Sequence, residues 1–244
     1  MTFETVEYDF VLPLGCVDEN GLIHKQGRMR VATAADEMIP TRYPQVQDNL
    51  AYFDVVVLSR VVTKLGALEH IEMQVIERLF ASDFSYLKDI YERINKRAME
   101  CCPKCLHKFD VDVKLPAALP ADQPLKTEYE FTLPKGYLDN DGVRHKQGVM
   151  RLANVGDMIL PKTDARVQQN PAYLIVLQLA RTVTRLGTVE KINAHVMENF
   201  FSTDFNYLQD FFDRINKHVP APVEATCPKC QHKFEVERKL SAND

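Results

Sequence analysis

The pattern of apolar and polar positions changes character several times along this chain, and each change marks an element. Glu7 to Leu12 is rich in aromatic and β-branched residues, which predicts a strand. Asp18-Glu19-Asn20-Gly21 is turn chemistry, with Gly where a positive φ is needed. Leu22 to Val31 reads as the return strand of a hairpin. Asp36 follows in a short loop or helical turn before Pro40. Ala51 to Leu65 is apolar on most faces and predicts a central helix covered on several sides, with Asn49 as its cap and Gly66 as its stop. Ile71, Val75, Ile76, Leu79 and Phe80 recur at helical spacing and predict a second helix. A third starts at Ser82 or Asp83, with the aspartate as cap, and presents Phe84, Leu87, Tyr91 and Ile94.

The whole pattern then occurs again. Tyr8-Asp9-Phe10-Val11-Leu12-Pro13 returns as Tyr129-Glu130-Phe131-Thr132-Leu133-Pro134, and His24-Lys25-Gln26-Gly27 as His145-Lys146-Gln147-Gly148. Asp83-Phe84-Ser85-Tyr86-Leu87 returns as Asp204-Phe205-Asn206-Tyr207-Leu208. The offset is about 121 residues from Tyr8 to Lys96 without a gap, and roughly 47% of the aligned pairs are identical. That period is too long for a solenoid unit, so each copy is read as a domain or as half of an intertwined one. The second copy also arbitrates the first. Val55-Val56-Val57 alone would suit a strand, but the matched Val176-Leu177-Gln178 favours helix. In Asn170-Pro171 the second copy shows an N-cap followed by Pro, and Gly187 follows Leu186 as a stop.

The expected fold class is therefore α+β: two tandem repeats, each a β-hairpin followed by about three helices and a short knuckle with a strand (Lys108 to Val113; Lys233 to Val236). Repeat 1 spans 1–114 with its knuckle at 101–113, and repeat 2 spans 128–240 with its knuckle at 227–237. Three prolines among residues 115–124 make 115–127 an extended, fairly stiff linker. A shorter break, Val219-Pro220-Ala221-Pro222, precedes the second knuckle.

Composition narrows the class. Of 244 residues, 45% are hydrophobic and 26% charged, which excludes a disordered chain. The acidic start at Met1 to Glu4 does not read as a signal peptide. The most apolar run, Leu50 to Leu65, is broken by Asp54, Arg60 and Lys64, which argues against a membrane span. A net charge of -4 argues against a general polyanion binder. Six cysteines without a secretion signal point to a reducing, cytoplasmic setting, where metal binding is favoured over disulfides.

Four of those cysteines form two matched pairs. Cys102-Pro103-Lys104-Cys105 and Cys227-Pro228-Lys229-Cys230 have the spacing of a zinc knuckle, in which two intervening residues let both sulfurs face one cation. Zinc takes four such ligands and each copy supplies two thiolates. The leading expectation is one structural Zn2+ site shared by Cys102, Cys105, Cys227 and Cys230. Rivals are one site per knuckle with His107 or His232 as a third ligand, and idle thiols without metal. Cys16 and Cys101 lack counterparts and read as plain thiols.

Nothing in the sequence assembles a catalytic set, and the chain is read as non-enzymatic. His24 and His145 recur in the hairpin, where a solvated turn accounts for them. Caps and turns account for Asp36, Asp157, Asp83 and Asp204. Arg60 and Arg181 lie within the apolar helix, able to pair with one of these carboxylates or to reach a partner surface. No G-x-S-x-G, P-loop or dinucleotide fingerprint appears. Phe80, Phe84 and Tyr91 read as core.

One set of motifs carries a family resemblance. Leu133-Pro134-Lys135-Gly136-Tyr137, Asp139, Gly142 and His145 to Ala153 come in order, followed by Arg181-Thr182-Val183-Thr184-Arg185-Leu186-Gly187 and Cys227-Pro228-Lys229-Cys230. Together they resemble the phage tail assembly proteins of contractile tails and phage-tail-like contractile injection systems. Broader tail assembly chaperones are similar in layout, with an Arg-x-x-Thr-x-x-Asp-like stretch that Arg30 to Asp36 approximates; Arg151 to Asp157 has Asn154 in place of Thr. This chain departs from the single-copy pattern by carrying two copies. The resemblance implies a non-enzymatic role, shielding the tape-measure protein until tube subunits polymerise around it, with tube or baseplate components as further partners and oligomerisation possible. Two other classes stay open: a structural baseplate or adaptor subunit, and a zinc-ribbon nucleic-acid-binding or regulatory protein.

Overall fold

The computed structural model describes residues 6–68, 70–95, 99–110, 125–217 and 223–236. It is an α+β fold with antiparallel sheets. Strand β1 (Glu7–Val17) pairs with β2 (Ile23–Arg30). Asp18 builds the turn between them: its carboxylate accepts the N–H groups of Asn20 and Leu22 at 2.8 and 2.9 Å, and Gly21 takes a φ of +81°. β1 runs past Leu12 because it carries a bulge between Val11 and Cys16. Gly15 occupies the bulge at φ +102°, where a Cβ would stand 2.6 Å from Ile23.

Asp36, expected in a short loop or helical turn, lies in the first of three short helical segments, α1 (Ala34–Met38), a 3-10 turn (Pro40–Arg42) and α2 (Pro44–Asp48). The central helix α3 (Tyr52–Val61) is shorter than Ala51 to Leu65. Its expected last turn is instead β3 (Val62–Leu65), which pairs with β2 and makes the hairpin a three-stranded sheet. The pattern shows why: Val62 and Leu65 are buried while Thr63 and Lys64 face out, and a helical end would leave β2 without a partner on that side. Asn49 does not cap α3. Its Oδ1 accepts the Ala51 N–H in the turn before it. The second expected helix is also short, α4 (Met73–Arg78), and the third is α5 (Ala81–Asn95). Phe10, Leu12, Met29, Leu58, Ile76 and Leu87 lie in the core between sheet and helices.

The second half follows the same order. β6 (Glu128–Leu138), β7 (Arg144–Arg151) and β8 (Val183–Leu186) form its sheet. Its helices are α6 (Val155–Ile159), α7 (Ala165–Gln169), α8 (Tyr173–Thr182), α9 (Ala194–Glu198) and α10 (Ser202–Asn216), and the helix expected over Ala172 to Leu186 again gives its end to a strand. Each knuckle is a two-stranded hairpin, β4 (Met99–Cys101) with β5 (Lys108–Asp110) and β9 (Val223–Thr226) with β10 (Lys233–Val236). The sequence predicts only the outgoing strand of each. Linker residues 115–124 and the break at 219–222 lie outside the described residues. Among the described residues no helix is long and apolar enough to cross a membrane.

Each half lends residues to the other's core. Leu79 to Ala81, from the end of α4 into the start of α5, run antiparallel to Ala153 to Val155: Ala81 N–H donates to the Ala153 carbonyl and Val155 N–H to that of Leu79, both at 2.9 Å. Val155 and Ile159 are buried within the first half's core, and Ala81 within the second's. The Asn49 amide donates to the Ile159 carbonyl at 2.9 Å.

Candidate metal centre and the recurring polar residues

Each knuckle turns tightly after its first cysteine. Cys102 N–H donates to the His107 carbonyl and Leu106 N–H returns to that of Cys102; Cys227, His232 and Gln231 repeat the arrangement. Leu106 and Gln231 take the left-handed conformation, at φ +58° and +56°, which closes each loop. Both sulfurs of a knuckle therefore project to one side.

The structure brings the two knuckles face to face. The ligand atoms of Cys102, Cys105, Cys227 and Cys230 all lie within 4.8 Å of one another. Cys102 Sγ stands 3.6 Å from Cys230 Sγ, and Cys105 Sγ 3.6 Å from Cys227 Sγ. Those separations are far beyond the roughly 2.05 Å of a disulfide. They match a tetrahedron instead: four sulfurs about 2.3 Å from one ion stand about 3.8 Å apart. Cys102 and Cys227 are fully buried, Cys105 and Cys230 partly so. The Phe109 and Phe234 rings meet edge-on at 6.2 Å beside the cluster.

Cys102 and Cys105 are shifted in opposite directions. Burial disfavours the Cys102 thiolate, but N–H donors from Cys105 and Lys104 outweigh it and bring the thiol down to about 7. At Cys105 the His107 N–H favours the thiolate, yet burial and the three neighbouring sulfurs prevail and push it up to about 12. Four anions cannot crowd together without a compensating charge, and a divalent ion held by the four sulfurs would supply it. Among the described residues neither histidine joins a cysteine pair as a third ligand. His107 and His232 stack at 6.2 and 6.0 Å on Phe109 and Phe234 instead. Cys101 is exposed, and Cys16 is buried in the first core, its thiol pushed up to about 11 by that burial.

The other recurring polar residues lie deeper than the sequence predicts. His24 and His145 are not in solvated turns: they are 8% and 4% exposed. His24 Nε2 lies 3.0 Å from Asp18 Oδ2, and His145 Nε2 lies 2.8 Å from Asp139 Oδ2, which fastens each hairpin turn to its return strand. The neighbours explain the burial, because Gly66 and Gly187 end β3 and β8 directly against the imidazoles. Asp36 accepts both guanidinium nitrogens of Arg30 at 2.7 and 2.9 Å, and Arg60 Nε at 3.0 Å. Asp157 repeats this with Arg151 and Arg181. Of the two uses open to Arg60 and Arg181, carboxylate pairing is the one made. The Arg30 bonds hold the Asp36 carboxyl far below the usual range. Burial opposes ionisation at Asp157, but Arg151 and the Asn154 N–H overcome it and lower that carboxyl too.

Asp83 and Asp204 correct a second expectation. Neither caps its own helix. Asp83 takes the N–H groups of Leu14 and Gly15 at 3.0 and 2.7 Å, and Asp204 those of Lys135 and Gly136 at 2.7 and 2.8 Å. Each thus ties its long helix to the bulge of its first strand. Two further residues have no sequence-level reading: Asn95 and Asn216 accept the N–H groups of Ala32 and Ala153. Their recurrence in Ile-Asn-Lys was the available signal. No family model, curated protein or solved structure matches the chain.

Proposed function

We propose that this protein is a non-enzymatic, cytoplasmic assembly factor of phage tails or phage-tail-like contractile injection systems, a chaperone of the tape-measure protein or another tail component. The observation that carries the reading is where the motif residues go. His24, Asp36, Arg60, Asp83 and their second-copy counterparts all hold the scaffold, whereas the hairpin ends expose Leu22, Ile23, Leu138 and Val143 at 45 to 60%. Exposed apolar ends on a rigid frame suit the binding of apolar helices, and a chaperone that binds them suppresses their self-association by mass action. A groove of about 690 Å³ beside the contact between the halves, lined by Leu50, Phe84, Met158 and Leu174 among others, is suited to a partner helix.

The finer reading of the fold belongs to the same proposal. Residues 1–114 and 128–240 are two copies of one domain joined by 115–127, and the cluster of Cys102, Cys105, Cys227 and Cys230 holds a structural zinc that staples them. Co-expression with the tape-measure protein tests the function. This protein should keep it soluble, Leu22→Glu with Val143→Glu should abolish that, and finished particles should lack the chaperone by mass spectrometry. Failure to solubilise or bind it would remove the proposal. Retention in particles would favour a structural adaptor, a reading that the exchanged core residues and stapled knuckles also fit.

A further inference from the structure

The helical contact between the halves is heterologous, so it consumes one face from each half and leaves the matching two faces over. The first half contributes Leu79 to Ala81 and Asn49. The second contributes Ala153 to Val155 and Ile159. The residues that correspond by the 121-residue offset are Phe200 to Ser202 with Asn170, and Ala32 to Ala34 with Met38. Among the described residues these make no such contact with each other. Ser202 N–H does not reach the Ala32 carbonyl, nor Ala34 N–H the Phe200 carbonyl.

Burial records the same imbalance. Ile159 is 4% exposed and its counterpart Met38 is 64% exposed; Val155 is 1% exposed and Ala34 is open. Phe80 is half-buried, yet the identical residue in the second copy, Phe201, is 51% exposed. Val176 and Leu177 are half-buried where Val55 and Val56 are buried.

We infer that a second copy of this chain covers these faces. The Phe200–Ser202 segment of one molecule docks antiparallel on Ala32–Ala34 of the next, with Phe201 beside Met38 and the Asn170 amide on the Met38 carbonyl. The template for this contact is already in the molecule, since the first half docks on the second in this way. Charge does not oppose it. Asp48, Asp54, Lys88 and Lys162 line the groove beside the covered contact, and Gln169, Ile175, Gln209 and Thr41 take their places on the free faces. Glu37 replaces Met158, and the Tyr91 hydroxyl donates to its carboxylate at 2.9 Å. A heterologous contact repeated from molecule to molecule gives a ring if the rotation closes and a helical array if it does not. Ala34 offers fewer apolar carbons than Val155, so the contact between molecules is weaker than the one within, and assembly is reversible.

Sedimentation velocity of the full, zinc-supplied chain tests this, at loadings from about 1 to about 200 μM to span micromolar affinities. The wild type is expected to grow beyond a dimer with concentration. Met38→Arg and Phe201→Arg alter exposed side chains, and each is expected to stay monomeric with unchanged thermal unfolding. Their equimolar mixture should form a 1:1 dimer that grows no further, because one variant keeps an intact Phe201 face and the other an intact Met38 face. Ser202→Pro removes only an N–H at the first helical position, where proline is tolerated, and should weaken association about five- to tenfold. A wild type that stays monomeric throughout overturns the inference. So does a mixture that stays monomeric, or association that persists in both arginine variants.

Discussion

In the knuckle pair the sulfur contacts are reciprocal. Cys102 lies against Cys230 as Cys105 lies against Cys227, both at 3.6 Å, and Phe109 faces Phe234. In the helical contact Leu79 to Ala81 meet Ala153 to Val155, and among the described residues no hydrogen bond joins Phe200 to Ser202 with Ala32 to Ala34. One duplicated sequence thus supports two kinds of symmetry. The four-sulfur cluster takes two thiols from each half and closes on itself. A β-bridge beside an apolar plug needs a donor face and a receiving face, and stays open at both ends. The difference teaches that duplication alone does not dictate a symmetric body, because the two unlike faces lie on every copy.

The largest expected effect falls on the closed contact. Apparent binding free energies of structural zinc are about 10–16 kcal/mol at pH 7, so Cys227→Ser should unfold the knuckle pair while leaving the sheets intact. Metal analysis should drop from one ion per chain to almost none, and hydrogen exchange should quicken at 99–110 and 223–236 only. A wild-type content of two ions per chain would remove the shared site.

The open contact is broken by asymmetry. Ile159→Ala should cost about 2–5 kcal/mol through the cavity it leaves, whereas Met38→Ala at the matched position should stay within about 0.5 kcal/mol in the monomer. Equal losses in urea unfolding would mean that the two faces are equivalent after all. Asn49→Ala should cost about 1–3 kcal/mol, because it orphans the buried Ile159 carbonyl, and Asn170→Ala close to nothing.

A smaller effect concerns the segment that presents the docking face. Asp83 lies two residues after Ala81 and ties α5 to the bulge at Leu14 and Gly15. Burial raises its carboxyl from 3.8 to about 6, against the pull of those N–H groups. Between those values the folded chain keeps a proton that the unfolded chain releases. The resulting stability is fully present below about pH 4 and lost as the pH rises through about 6. Relative to Asp83→Asn, the wild type should therefore lose about 2 kcal/mol between pH 4 and 7 in denaturant titrations. A flat difference would show that the carboxyl stays ionised throughout.

Much of this is local chemistry and legible in the sequence. The Asp18 to Gly21 turn, the apolar run of α3, the helical spacing of Leu87 and Ile94, and the two C-P-K-C loops each follow from a few neighbouring residues. So does the prediction that matched half-sites would combine, because zinc takes four ligands and each copy offers two. Tertiary structure decided what needs a partner from afar. Val62 to Leu65 are strand because the edge of β2 is there to receive them, which overrides the helical pattern. Asp83 serves a bulge 68 residues away rather than its own helix. His24 is buried because Gly66 closes over it. Phe80 and Phe201 are the same side chain, so their own identity does not say which of the two is covered. Only the placement of one half on the other left Phe80 half-buried and Phe201 at the surface.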